Sequence, residues 1–232
     1  MKYLPFITNK NFRLHPDYME SQLSEIRKEY TKGKLTRSNI SDNPFEQFAR
    51  WLDDAIHCGE DEPTAMIVAT VSADGHPSTR TVLLKSVENG KFIFFTNYES
   101  RKGKQLAGNP YISLSFVWHK LERQIHIEGK AEKCPSKESD TYFASRPYKS
   151  KIGARISPQS HIINSRMEII RAFVKEATKL TGQTIKRPDN WGGFAVTPTR
   201  FEFWQGRESR LHDRFQYILE EDGSWDIVRL AP

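Results

Sequence analysis

Cysteine is scarce: the 232 residues hold two, Cys58 and Cys134. Two thiols cannot build a disulfide framework or a four-ligand zinc site by themselves, and their scarcity fits a reducing, cytoplasmic compartment. Long apolar runs are also missing; none approaches the roughly 18 to 20 residues that cross a bilayer. Residues 1–16 carry a short apolar patch at 3–7 and no small-residue cleavage site, so no secretory signal is expected. No GxGxxG follows a strand pattern, and GxxxxGK(S/T), HExxH and GxSxG are absent. Dinucleotide-fold, P-loop, zincin and serine-hydrolase readings therefore lack their signatures. The histidines at 15, 57, 76, 119, 126, 161 and 212 form no pair at ligand spacing, so no metal site is expected.

What is present has an ordinary globular composition. With 37% hydrophobic and 28% charged residues, the chain lies outside the low-hydrophobicity, high-charge range of disordered proteins. Its 35 Lys and Arg against 29 Asp and Glu leave a net charge of +6. That balance suits nucleic acid, an anionic membrane or a phosphorylated small molecule, and does not choose among them.

Residues 1–42 are polar and irregular, with Arg27, Lys28, Lys32, Lys34 and Arg37 making a basic run; they read as a partly flexible arm. A helix begins at Asn43 and Pro44, with Glu46 completing a capping-box-like pattern, and it stops at Gly59. Strand patterns follow at 64–72, 79–87, 91–97, 111–118 and 123–133, and Asp74-Gly75 and Asn89-Gly90 between them favour hairpin turns. Helical periodicity returns at 137–145 and 165–181. In the second stretch Ser165 and Glu168 make a capping box, and Met167, Ile170, Phe173, Val174, Ala177 and Leu180 form an apolar face. Strands at 193–197, 200–204, 215–220 and 225–230 complete a mainly β, α+β chain. Many short strands with few helices imply a closed or nearly closed barrel over 43–232, with helices outside.

Positive charge recurs beside aromatic and apolar residues. Arg80, Thr81, Val82, Leu83, Leu84 and Lys85 make a strand in which Arg80, Val82 and Leu84 share one face and Thr81, Leu83 and Lys85 the other. Alone, this reads as a sheet strand with solvated ends. Phe95, Thr96 and Asn97 run into Ser100, Arg101 and Lys102, a helix start that suits a phosphate as well as it suits a solvated turn. Gln124, entering a strand, can face solvent or hydrogen-bond a planar heterocycle. Tyr142, Arg146, Ser150, Gln159 and Ser160 bring hydroxyls and a guanidinium of the kind that bind phosphate monoesters, although Tyr142 equally suits a helix core. The densest run leads from Phe201, Phe203 and Trp204 into Arg210, Leu211, His212 and Arg214. If extended, it puts Arg210, His212 and Arg214 on one face.

The stretch 201–214 resembles the signature of the pyridoxine/pyridoxamine 5'-phosphate oxidase family, and Arg229, Leu230, Ala231 and Pro232 match its usual ending. The resemblance runs in order through 80–85, 97–102, 121–124, 145–147, 159–160 and 191–194, and includes the arm from Arg27. It implies an FMN-binding split β-barrel, working as a homodimer with the flavin at the subunit interface. It also implies oxidation of pyridoxamine and pyridoxine 5'-phosphates to pyridoxal 5'-phosphate. In that chemistry a hydride passes from C4' to flavin N5, and O2 reoxidises the flavin to give H2O2.

Carried over residue by residue, the resemblance assigns FMN to Arg80, Thr81, Val82, Leu83, Leu84, Lys85, Phe95, Thr96, Arg101, Lys102, Gln124, Gln159, Ser160, Trp204 and Arg214. The substrate would meet Lys85, Tyr142, Arg146 and Ser150, with Arg210, Leu211 and His212 at its ring and Arg210 and His212 catalytic. Arg27, Lys28, Glu29 and Tyr30 would belong to an arm closing over the site. Phe95 stands where the family often has Tyr, and 182–190 is longer than usual. No nucleic-acid or membrane partner is implied. A split-barrel flavin enzyme of other specificity, a non-catalytic FMN carrier and a basic barrel that stacks nucleic-acid bases are the competing readings.

Overall fold

The computed structural model describes residue 26 and residues 28–232. Helix α1 (Pro44–His57) starts as its sequence dictates: the Asn43 side chain accepts the Phe45 N–H and Pro44 needs no donor there. The Glu46 carboxylate takes the Ser41 hydroxyl instead of returning to the cap. Strands β1 (Ala65–Val71), β2 (Pro77–Leu83), β3 (Ser86–Glu88) and β4 (Lys91–Asn97) follow, then helix α2 (Arg101–Gly108). Next come β5 (Tyr111–Trp118), β6 (Arg123–Lys133), and helices α3 (Ser136–Ser145), α4 (Tyr148–Ile156) and α5 (Arg166–Lys179). The chain closes with β7 (Trp191–Gln205), a 3-10 turn (Glu208–Arg210), β8 (Asp213–Leu219) and β9 (Trp225–Leu230).

The pairs are antiparallel, in the order β2-β1-β5-β6-β7-β4-β3, with β8 on β7 and β9 on β8. The sheet curls into a half-barrel around one aromatic core. Alternation along β5 turns Ile112, Leu114, Phe116 and Trp118 inward, where Phe48 of α1 meets Phe92, Phe116 and Trp118. Each such side chain contributes on the order of 1.5 to 3 kcal/mol by leaving water. Leu35 and Ile40 join this core, and the Tyr217 hydroxyl donates to Ser41 O, so the chain ahead of α1 packs with the barrel from residue 35 onward. Among the described residues, no helix is long and apolar enough to cross a membrane.

Four expectations change. The strand expected at 79–87 is two, β2 and β3, parted at Leu84 and Lys85, where the backbone N–H of Leu84 turns to Thr64 O and that of Lys85 to Ile93 O. The strands at 193–197 and 200–204 are one strand, β7, because its neighbours absorb Pro198 in a bulge. Gly129 pairs with Pro198 and Glu128 with Arg200, leaving Thr199 as the extra residue. A side chain at Gly129 would stand 2.2 Å from Thr197 O, so only glycine allows this approach. On α5, Phe173, Ala177 and Leu180 pack on a second cluster of Phe143, Ile152, Ile185 and Trp191, whereas Met167, Ile170 and Val174 are exposed. That cluster is too narrow to cover the whole stripe. The Ser165 side chain makes no cap; Asn164 donates to Glu168 instead.

Candidate active site

The ends of β2 and β4, the first turn of α2, and helices α3 and α4 enclose a cleft of about 700 Å³. Thr81, Val82, Leu83, Lys85, Phe95, Thr96, Lys102, Tyr142, Arg146, Ser150 and Gln159 all line it. Asn97, Pro147, Gly153, Ala154, Ser157 and Trp191 line it too, without having been singled out as ligands. Gly153 and Ala154 belong to α4 and Pro147 and Ser157 flank it, a short helix whose weak periodicity hides it after Pro147; Trp191 carried a detectable signal as the aromatic before Gly192 and Gly193.

The cleft is electrically one-sided: among the described residues its lining includes Lys85, Lys102 and Arg146 and no carboxylate. Ser100 caps α2 by accepting the Gly103 N–H, and this turn drives the Lys102 side chain inward. Buried there, the ammonium donates to Thr96 Oγ1 at 2.9 Å and to Gln159 Oε1 at 3.3 Å. Burial, then the Arg80 charge, pushes Lys102 down to about 8. Arg80 is fixed by bonds to Val68 O at 3.1 Å, Thr70 Oγ1 at 2.7 Å and Ser78 Oγ at 2.7 Å. Its guanidinium is lowered by burial and by Arg101, which stands exposed at the start of α2. None of the ion pairs among the described residues uses Arg80, Lys85, Arg101, Lys102 or Arg146.

One wall is flat and aromatic. Phe95 stacks on Tyr142 at 3.9 Å and on Trp191 at 5.6 Å. Burial raises the Tyr142 phenol, which keeps it a donor. Arg146 lies 4.5 Å over the Trp191 ring, and its buried Nη1 has no hydrogen-bond partner among the described residues. An unmade bond of that kind costs about 1 to 3 kcal/mol, and an anionic oxygen would recover it. Leu84 turns into the barrel core, and Ser160, left-handed at φ 70°, is exposed beside Gln159; neither side chain lines the cleft, and those of Arg80 and Arg101 do not line it either.

The remaining residues assemble elsewhere. Gln124, Trp204 and Arg214 are register partners across β6, β7 and β8. Trp204 meets the His212 ring at 4.6 Å, and Tyr30 packs edge-on against both at 5.7 Å. Arg214 is held by Glu202 at 2.8 Å and by Ala231 O at 2.8 Å. His212 Nδ1 accepts the Arg207 N–H at 3.1 Å, so the neutral ring carries its proton on Nε2. The stretch before Arg214 is not extended. The 3-10 turn places Ser209 and Arg210 at φ 54° and 61°, so Arg210, His212 and Arg214 do not share a strand face. Two consecutive left-handed non-glycine residues store on the order of 1 kcal/mol or more each, as functional turns do. Leu211 is exposed, Lys28 and Glu29 lie near this end, and Arg27 falls outside the described residues.

The two groups lie at opposite ends of β7. Trp191 lines the cleft and Trp204 is thirteen residues further along the strand. At roughly 3.3 Å per residue that is about 40 Å of strand, too long a path for one small ligand to touch both ends within a single chain.

An antiparallel split barrel with helices on its flank and a carboxylate-free cationic cleft defines a class of barrel built to hold phosphorylated ligands. Residues 52–179 match the family described as pyridoxamine 5'-phosphate oxidase, and residues 191–232 match the pyridoxine 5'-phosphate oxidase C-terminal dimerisation region. The chain belongs to the pyridoxamine 5'-phosphate oxidase family. It is 65% identical over 210 residues to the pyridoxine/pyridoxamine 5'-phosphate oxidase of Bacteroides thetaiotaomicron, covering 90% of this chain and 99% of the relative. With the protein of the same name from Porphyromonas gingivalis the identity is 57% over 214 residues, 92% of this chain and all of the relative. Among solved structures, PhzG from Burkholderia lata 383 in complex with tetrahydrophenazine-1-carboxylic acid superposes with a TM-score of 0.80 at 27% identity, covering 85% of this chain and 98% of that one. A pyridoxamine 5'-phosphate oxidase-related, FMN binding protein from Nostoc punctiforme shares the fold, with a TM-score of 0.69 at 14% identity over 83% of this chain and all of that one.

Proposed function

We propose that the chain oxidises pyridoxamine 5'-phosphate and pyridoxine 5'-phosphate to pyridoxal 5'-phosphate, with FMN as cofactor, at a site completed by two copies of the chain. The observation that carries this reading is the cleft with three lining cations, an orphaned Arg146 N–H and no carboxylate. FMN fits the donor set: Arg80, Arg101 and Lys102 offer positive charge without a counter-ion, and Thr81, Val82, Leu83, Phe95, Thr96 and Gln159 offer backbone, ring and amide contacts beside it. Leu84 would contribute through its backbone and Ser160 through a shift of its exposed loop. When bound, FMN supplies a two-electron acceptor that dioxygen can reoxidise, with release of hydrogen peroxide.

Lys85, Tyr142, Arg146 and Ser150 hold the substrate phosphate: two cations and two hydroxyl donors match a dianion better than they match a carboxylic acid. This favours a phosphorylated substrate over the kind of acid found with PhzG. The partner copy brings Gln124, Trp204, Arg210, Leu211, His212 and Arg214 over the cleft, which removes their separation along β7. Trp204 and Arg214 then border the cofactor, and Arg210 and His212 face the pyridine ring. The Nε2–H of His212 donates to a ring substituent and Arg210 orients the C4' group; in this tautomer His212 is a positioning donor and not a base. A reducing cytoplasm suits the free Cys58 and Cys134.

The test is direct. Purified protein should carry a yellow chromophore and release peroxide when pyridoxamine 5'-phosphate is added in air. A colourless protein that takes up no FMN and releases no peroxide overturns the reading.

A further inference from the structure

The sharp turn between β5 and β6 contains a buried carboxylate that the reaction above does not use. Glu122 sits at φ 55°, and its side chain is almost wholly removed from solvent. Its Oε2 accepts two successive backbone N–H groups, from Thr31 at 2.7 Å and Lys32 at 3.0 Å, ninety residues away in sequence. Its Oε1 faces the Lys28 ammonium at 3.5 Å. Its own carbonyl accepts the Gly206 N–H at 2.8 Å, which ties the turn to the end of β7. A charge is costly to bury, and a left-handed glutamate adds to that cost. The return is a fixed grip on an otherwise irregular segment.

That grip determines where the neighbouring residues fall. Tyr30, next to the held amides, packs so tightly on Gly206 that a side chain there would stand 2.7 Å from the Tyr30 ring. The same ring is edge-on to Trp204 and His212. Glu29 accepts the Ser209 N–H at 3.4 Å, inside the left-handed pair that sets Arg210. Beyond the grip, Arg207 donates to Gly33 O at 3.3 Å and Leu35 N donates to Asp213 at 3.0 Å.

We propose that Glu122 is a positioning residue for substrate: its carboxylate clamps residues 28–32, and through Tyr30 and Glu29 it sets the His212 ring and the Arg210 turn. This deepens the proposed oxidase reading and rests on it for its kinetic consequence, while the clamp itself rests on the contacts alone. Without the charge, the two amides keep only a neutral acceptor and Lys28 loses its ion pair, so the grip weakens and the segment swings off the Trp204 end.

The experiment compares the full-length, FMN-loaded protein with Glu122→Gln and Glu122→Asp. For Glu122→Gln, KM for pyridoxamine 5'-phosphate should rise about ten-fold or more, the size of one charge-assisted bond, while bound flavin and its visible spectrum are retained. Trypsin should cut after Lys28 and Lys32 several-fold faster than in the unaltered protein. Glu122→Asp, which keeps the charge on a shorter stem, should recover part of both effects. Hydrogen exchange supplies a readout that needs no variant: the Thr31 and Lys32 amides, though outside any helix or strand, should be protected in the unaltered protein. Unprotected amides, or a folded Glu122→Gln protein with unchanged KM and cleavage rate, overturn the proposal. If the unaltered protein oxidises no pyridoxamine 5'-phosphate, the oxidase reading fails, and the cleavage and exchange results still decide the clamp.

Discussion

The Lys102 ammonium donates to the Thr96 hydroxyl at 2.9 Å from inside the cleft wall, where the Arg80 charge acts on it. A buried cation beside another cation is a site waiting for an anion, and this contact makes the cleft sensitive to pH. Lys102 is held at about 8 against an ordinary 10.5. The unfolded chain therefore binds more protons than the folded one between those values. Stability of the FMN-free protein from this group is fully present above 10.5 and is lost as pH falls through 8. Thermal unfolding followed from pH 8 to 9 should show the rise, before the Cys134 thiol, pushed up to about 11 by burial, begins to oppose it, and Lys102→Met should flatten it.

Binding of a phosphate dianion should reverse the shift, since an anion favours charged Lys102. FMN binding near pH 8.5 should therefore take up protons, seen in calorimetry as a heat that depends on the ionisation enthalpy of the buffer. A buffer-independent heat would place the phosphate away from Lys102.

Arg146 should behave unlike an ordinary buried charge. Its Nη1 is unpartnered, so Arg146→Met should leave the melting temperature of the FMN-free protein unchanged or raised. The same change should lower kcat/KM for pyridoxamine 5'-phosphate by about 10- to 100-fold, through the loss of a charged hydrogen bond worth about 1.5 to 3 kcal/mol. A large loss of stability with normal kinetics would give Arg146 a structural role instead.

Complementation tests the shared site. Lys85→Ala damages the cleft and Arg210→Ala damages the far end of the barrel; each alone should lower turnover by orders of magnitude, with yellow flavin retained in Arg210→Ala. Co-refolded or co-expressed, the two should recover roughly a quarter of the unaltered activity. Half of the dimers are then mixed, and each mixed dimer holds one intact site. No recovery would mean that both residues serve the same chain's site.

Gly129→Ala probes the bulge that lets β7 run unbroken. The added carbon would meet Thr197 O at 2.2 Å, a backbone atom that cannot step aside. A loss of about 2 kcal/mol or more is expected in denaturant unfolding, by the mechanism of forced overpacking.

Much of the fold was legible because its signals are local. The limits of β4, β5, β6 and β9 coincide with apolar alternation and turn dipeptides in the sequence. Legibility failed where context decided. The apolar stripe of α5 reads as a core face, yet Met167, Ile170 and Val174 meet solvent because the helix rests on a small cluster at the barrel's flank. Arg210, His212 and Arg214 alternate in sequence, but a left-handed turn at Ser209 and Arg210 that no propensity announces keeps Arg210 off the strand that holds Arg214. Glu122 gave no sign of a clamp, since its partners are backbone amides ninety residues away.

The order of residues by itself determined most of the secondary elements, the excess of positive charge and the family motifs, because periodicity and motif order are properties of a line. Which of those residues meet was decided by tertiary structure alone. Strand pairing brought Lys85, Lys102, Tyr142 and Arg146 around one carboxylate-free cleft. It also sent Trp204 and His212 to the other end of a fifteen-residue strand, a separation that rigid β geometry imposes and that spacing in the sequence does not reveal.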